Sequence, residues 1–208
     1  MSEFASASFT AGQLNAMVKK LKELAGDGGP TLLLQGKLKI EVVKNNTLNT
    51  LGTITTPDTT EKFVARDKFH KESEKVKFAF ISDKFQSWFF DGKIEEPLGE
   101  QSLRYGDLIK RSVDGPIIKE LGGEAKFETT LSALYDLLAK QRNGEEGVLL
   151  TNRYPNIFYV KDISGTLRAV GVHWRGVGWR VGARSVGHPG GWFAGDRVFS
   201  AILEPLVP

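Results

Sequence analysis

The stretch that most constrains this chain is Thr166 to Ser185, where two runs of alternating residues flank Gly176 and Val177. An even-length turn centred on that pair sets Trp174 opposite Trp179, Val172 opposite Val181 and Val170 opposite Ala183, all on one face of a hairpin. That face is apolar and reads as core. The other face then carries His173 opposite Arg180, Gly171 opposite Gly182 and Ala169 opposite Arg184. A glycine in a strand interior costs about 0.5 to 1 kcal/mol relative to alanine, so a cross-strand pair of them implies that something lies against that flat floor.

Two occupants are consistent with the floor. One is a ligand: Gly171 and Gly182 would floor a shallow groove rimmed by His173, Arg180 and Arg184, and guanidinium forks suit phosphate or carboxylate on an anionic or planar molecule. The other belongs to the chain itself, with Trp192 or Phe193, on the glycine-rich loop after Pro189, folding back over the glycines. Nucleic acid is a sharper version of the first, since basic and aromatic side chains on a sheet contact phosphates and stack on bases. Against it, the register buries Trp174 and Trp179 and leaves few exposed rings.

The same period of two continues on either side. Ile157 to Lys161 reads as a strand, Asp162 to Gly165 as a turn, and Arg197 to Ser200 as a short last strand. Upstream the period changes. Thr10 and Gln13 form a capping box flanked by Phe9 and Leu14 as a hydrophobic staple, which starts a helix at Ala11. Its stripe is Leu14, Met17, Val18, Leu21 and Leu24, and Gly26 ends it. Pro30 to Leu34 reads as a short helical turn, and Leu38, Ile40 and Val42 as a strand. Asn45 to Thr60 is polar and reads as a hairpin or long loop; the sequon Asn45-Asn46-Thr47 is taken as a turn. Val76, Phe78 and Phe80 predict a strand, and Asp83 with Gln86 a capped short helix. Lys93 to Ser112 shows no clear period, and Pro116 to Leu121 predicts a brief helix. Phe127, Leu131, Leu134 and Leu138 have the spacing of a second long helix, closed by Asn143-Gly144.

These readings predict an α+β protein, with a mixed helix and strand module over 1–147 followed by a small C-terminal antiparallel β-sheet over 148–208. Charge follows the same division. After Gly147 there are seven basic residues (Arg153, Lys161, Arg168, Arg175, Arg180, Arg184, Arg197) against three acids (Asp162, Asp196, Glu204), although the whole chain carries only +3. Such asymmetry bears on partners and not on fold.

Other chemistry is thinly represented. The 208 residues include no cysteine, which excludes disulfides and thiolate metal sites. No segment approaches the roughly 18 apolar residues of a membrane span, and Met1 to Thr10 lacks the features of a leader, so a cytoplasmic protein without membrane association is expected. His70, His173 and His188 fall on separate elements, and His70 sits in a charge run that reads as wetted surface. Glu95-Glu96 and Glu145-Glu146 lie near turns and read as loop solubility. Gly176-Val177-Gly178 resembles the start of a dinucleotide fingerprint but precedes no helix. A helix-turn-helix reading of the N-terminal segment fails because Leu32, Leu33 and Leu34 stand where a recognition helix needs polar groups. No catalytic residues, metal site or cofactor are assigned.

Two segments carry a resemblance. Thr10 to Leu21 (TAGQLNAMVKKL), and Leu150 to Asp162 (LTNRYPNIFYVKD) with Gly178 to Val186 (GWRVGARSV) and Trp192 to Ser200, resemble recurrent uncharacterised (hypothetical) proteins of small-genome bacteria. The resemblance implies a bacterial, cytosolic, modular protein and supplies no catalytic residue. The expectation is a non-catalytic binding or interaction protein using the basic face of the C-terminal sheet. The alternative is an enzyme of unrecognised type with its site between the two modules. The partner is left open among an anionic ligand, a nucleic acid and a second copy of the chain.

Overall fold

The structure is a computed structural model that describes residues 10–28, 30, 46–123 and 127–202. It divides into two compact units, 1–45 and 46–208. In the first, helix α1 (Ala11–Ala25) begins with the expected capping box. The Thr10 side chain accepts from the Gln13 N–H, and Gln13 Oε1 accepts from the Thr10 N–H at 2.9 Å. Gly26, at a φ of 69°, ends the helix, and Leu14, Val18 and Leu24 are exposed. Phe9 of the staple, the helical turn after Pro30, the strand at Leu38 to Val42 and Asn45 of the sequon lie outside the described residues.

The second unit runs β1 (Leu48–Thr56), β2 (Phe63–Val64), α2 (Ala65–Lys68), β3 (Phe78–Ile81), α3 (Asp83–Phe89), β4 (Ile94–Glu95), β5 (Gln101–Leu108), α4 (Asp114–Glu120), α5 (Leu131–Lys140), β6 (Asn156–Lys161), β7 (Leu167–Trp174), β8 (Trp179–Ser185) and β9 (Arg197–Ala201). Seven strands form one sheet in the order β1-β5-β9-β6-β7-β8-β3, and β2 pairs with β4 separately. The protein is therefore α+β. The expected small antiparallel sheet is part of a larger mixed one: β6, β7 and β8 are antiparallel neighbours, but β9 runs parallel to β6, and β3 parallel to β8. The line drawn at residue 147 runs through this sheet, with β1, β3 and β5 before it and β6 to β9 after it.

The reason lies in β6. Asn156 to Val160 are all buried, so this strand has no face for water, and it sits where a neighbour occupies each edge and a layer covers each side. On one side Phe158, Val160, Val170, Val172, Trp179, Val181 and Phe199 cluster with Phe85 and Phe89 of α3 and Leu131, Leu134 and Leu138 of α5. Phe158 and Phe199 stack with ring centres 4.5 Å apart. On the other side Ile157, Tyr159, Ala169 and Val198 cluster with Ile117 and Ile118 of α4, with Phe127 and with Trp192.

Several local expectations shift. Asn45 to Thr60, read as a hairpin or long loop, supplies the single strand β1, and Lys93 to Ser112, which showed no clear period, supplies β4 and β5, with β1 and β5 paired antiparallel over Leu48 to Thr56. Gly106 permits this pairing, because a Cβ there would sit 2.6 Å from the Asn49 carbonyl oxygen. Helix α3 is capped one residue earlier than expected, by Ser82, whose hydroxyl accepts from the Phe85 N–H. Helix α5 starts at Leu131, and Phe127 belongs to the opposite core cluster, so its spacing to Leu131 is not helical. Among the described residues no helix is long and apolar enough to cross a membrane.

Glu95, read as a solvated loop acid, is instead buried at the start of α5. Its Oε1 and Oε2 accept from the Leu131 and Ser132 N–H groups at 2.8 Å each, while Thr130 Oγ1 accepts from Ala133 N–H. The first three donors of the helix are thereby satisfied, and the negative charge sits at the favourable end of its dipole. Glu95→Ala should lower stability by about 2 to 3 kcal/mol, with Glu95→Gln losing less because it keeps one acceptor. Urea unfolding with unchanged slope checks this.

Candidate functional site

The hairpin pairs as the turn requires: Trp174 with Trp179, Val172 with Val181, Val170 with Ala183, His173 with Arg180, Gly171 with Gly182 and Ala169 with Arg184. The two bare positions do meet across β7 and β8. They lie on the side of the sheet that also carries Ile157 and Tyr159, and there the surface opens into a hollow of about 510 Å³. All five residues assigned from sequence line it: Gly171, His173, Arg180, Gly182 and Arg184.

Both occupants foreseen for the floor bear on the result. The segment after β8 turns at Gly187 and Gly191, both at positive φ, and brings Trp192 back over the sheet. A Cβ on Gly171 would come within 3.3 Å of the edge of that indole, so Trp192 covers Gly171. It does not cover Gly182, where a Cβ would meet the Ser82 side chain, its Oγ at 3.7 Å. Phe193 does not fold over the glycines but remains exposed, under the guanidinium of Arg111. The hollow is thus half roofed.

What holds Trp192 down was not legible beforehand. Its backbone exchanges both hydrogen bonds with Ser112, and its Nε1–H donates to Asp114 Oδ1 at 2.7 Å. Asp114, in the first turn of α4, is fully buried. Its carboxylate also accepts from the Tyr159 hydroxyl at 2.9 Å and from the Gly187 N–H at 3.1 Å, and Arg184 Nη2 stands 3.8 Å away. Burial, followed by the charge of Asp114, pushes the Tyr159 phenol far above its ordinary value. That phenol therefore stays protonated and donates.

Arg184 is held from three directions. Its guanidinium lies 3.4 Å from the centre of the Trp192 ring, Nη1 donates to the Gly191 carbonyl at 2.9 Å, and Asp114 faces Nη2. Burial lowers its pKa against the opposing pull of Asp114. Its Nε and Nη2 are buried and have no hydrogen-bond acceptor among the described residues. Arg180 is held more loosely, 4.6 Å from the centre of the exposed Phe80 ring. Burial, then Arg175 and then Arg180, brings the pKa of His173 down to about 4, so its ring is neutral at pH 7.

Much of the C-terminal excess of positive charge is consumed internally. Arg168 pairs with Asp162, Arg197 with Asp107, Lys161 with Glu128 and Arg184 with Asp114. Arg153, Arg175 and Arg180 have no carboxylate partner among the described residues, and no carboxylate lines the hollow. Nor do the described residues gather three His, Asp or Glu side chains into a metal-sized cluster; His70 faces only Glu72, at 3.5 Å. Phe80 and Arg175 were missed as lining residues. Phe80 arrives through the parallel β3–β8 pairing, which leaves no short-range signal, whereas Arg175 was visible as the residue next to the turn. No protein-family model, curated protein or solved structure matches the chain.

Asp114→Ala leaves three donors without their acceptor and the Arg184 guanidinium without its counter-charge, and should cost about 3 to 5 kcal/mol, as loss of one partner of a buried pair does. A lowered urea midpoint with loss of the near-ultraviolet signal of Trp192 checks it. The folded-state pKa of His173 lies below its unfolded value of 6.5, so the unfolded chain takes up this proton first. Its contribution is neutral above about pH 6.5 and becomes destabilising as pH falls towards about 4. His173→Gln should therefore lose less stability than the parent between about pH 7 and about pH 5, measured by urea unfolding at each.

Proposed function

We propose that the protein is a non-catalytic binding protein that takes an anionic ligand in the hollow over Gly182. The observation that carries this reading is the placement of Arg180 and Arg184 beside the bare Gly182 backbone in a hollow that no carboxylate among the described residues lines. Arg180 has no carboxylate partner among the described residues, so its guanidinium is left for an acceptor supplied from outside. Stacking on Trp192 and the bond to Gly191 fix the Arg184 guanidinium plane beforehand, which reduces the ordering cost of binding.

The other groups fit the same role. Arg180, spread on Phe80, adds charge nearer solvent, and the neutral His173 offers one donor and one acceptor. A histidine with a pKa of about 4 is a weak base at neutral pH, which favours holding a ligand over moving its protons. The bare Gly182 backbone lets a flat group approach the sheet, and phosphate or carboxylate suits the forked donors. A cytoplasmic setting, rich in phosphorylated small molecules, agrees with this reading.

The test is titration of pyrophosphate and of thymidine monophosphate into the purified chain by calorimetry. Arg180→Ala and Arg184→Lys should each weaken binding by about tenfold or more, the lysine variant because it keeps charge but not the fork. Gly182→Ala should raise the floor and weaken binding while the fold is kept, since the added carbon meets Ser82 at ordinary contact distance. Affinities unchanged in all three variants would refute the site.

A further inference from the structure

A second hollow, of about 610 Å³, shares Pro155 with the first as a common wall. Arg111, Arg153, Tyr154 and Phe193 line it, and its one carboxylate, Asp196, is buried and accepts from the Phe193 N–H at 2.8 Å. The aromatic rings that the sequence placed in the core are compensated here. Phe80, Tyr154 and Phe193 are 42%, 45% and 57% exposed, two on loops or edges outside the hairpin and one preceding Pro155.

Ring and guanidinium recur together in both hollows. Arg180 lies over Phe80 at 4.6 Å, and Arg111 lies over Phe193 at 5.3 Å with its Nη2 donating to the Gly190 carbonyl. Tyr154 rests on the backbone at Gly195, where a Cβ would come within 3.1 Å of its ring, so its orientation is set by the bare backbone beneath it. Arg153 beside it is held at a φ of 78°, in the left-handed region that non-glycine residues seldom occupy.

From this repetition we infer that the two hollows form one continuous tract for single-stranded nucleic acid, with bases against Phe80, Tyr154 and Phe193 and phosphates on the arginines. The inference rests on the reading of the first hollow as an anion site and extends it across Pro155. A chain of alternating charge and flat rings matches a surface of alternating guanidinium and aromatic groups, whereas an acidic peptide would engage the arginines and leave the rings idle. A duplex hides its base faces and does not match exposed rings.

Fluorescence anisotropy with labelled oligothymidylates of two, four and eight nucleotides tests it, with thymidine monophosphate and polyphosphate as competitors. Affinity should rise with length and then level off. Tyr154→Ala and Phe193→Ala should each weaken the octamer by at least about fivefold and leave thymidine monophosphate binding unchanged. Arg153→Gly relieves the backbone at that position and so keeps the fold, yet it should reduce the slope of log affinity on log salt by about 0.7, the share of one phosphate on a single strand. If the octamer binds no better than the monophosphate, if the ring variants are silent, or if polyphosphate competes as well as the octamer, the tract is refuted and the single anion site stands. If neither the monophosphate nor the octamer binds, both readings fall.

Discussion

One buried carboxylate organises the functional side of this molecule. Asp114 accepts from Tyr159 on the central strand, from Trp192 and Gly187 on the loop after β8, and it faces Arg184 on β8 itself. Three stretches of the chain, around residues 114, 159 and 184–192, thus meet at two oxygen atoms in a place water does not reach. A charge so placed is tolerated only when nearly every lone pair is engaged, which makes the arrangement all or nothing. The indole lies flat, the guanidinium lies flat on it, and the hollow beside them acquires a fixed wall.

The same carboxylate decides how the arginines differ. Arg184 is positioned at the expense of part of its charge effect, since Asp114 stands 3.8 Å away. Arg180 keeps its full charge but rests only on a ring that is itself exposed. One supplies geometry and the other attraction. A basic count along the chain does not reveal this division, because Arg168, Arg197 and Lys161 are drawn into ion pairs within the fold. What reaches solvent is a small residue of charge set among rings, a combination suited to recognition by contact more than by long-range steering.

What could be read from the residues alone follows the reach of each interaction. The β7–β8 hairpin was legible down to its cross-strand pairs because a four-residue turn and a period of two leave one register. The cap of α1 was legible, since Thr10 acts within three residues, and the capped start of α3 was legible to within one residue, at Ser82 and not Asp83. Strands β1 and β5 were not, because their residues alternate poorly and are held by a partner about fifty residues away; β9 was seen as a strand, but its place between β5 and β6 was not. The site divides the same way. Gly171, His173, Arg180, Gly182 and Arg184 share one hairpin and were found together, whereas Phe80 and Asp114 come from elements whose arrival depends on the whole sheet. Glu95 was misread for the same reason: its helix lies more than thirty residues downstream.

The position of β9 has a consequence for how the molecule is made. Among the described residues this strand, Arg197–Ala201, is the only one paired with both β5 and β6, and it joins β1-β5 to β6-β7-β8-β3. During synthesis from the N-terminus, each half can zip up as it leaves the ribosome, but Tyr105 and Phe158 wait for Phe199 to stack between them. The nascent chain therefore carries two open seams until β9 emerges, and closing them is a single event that locks both halves at once.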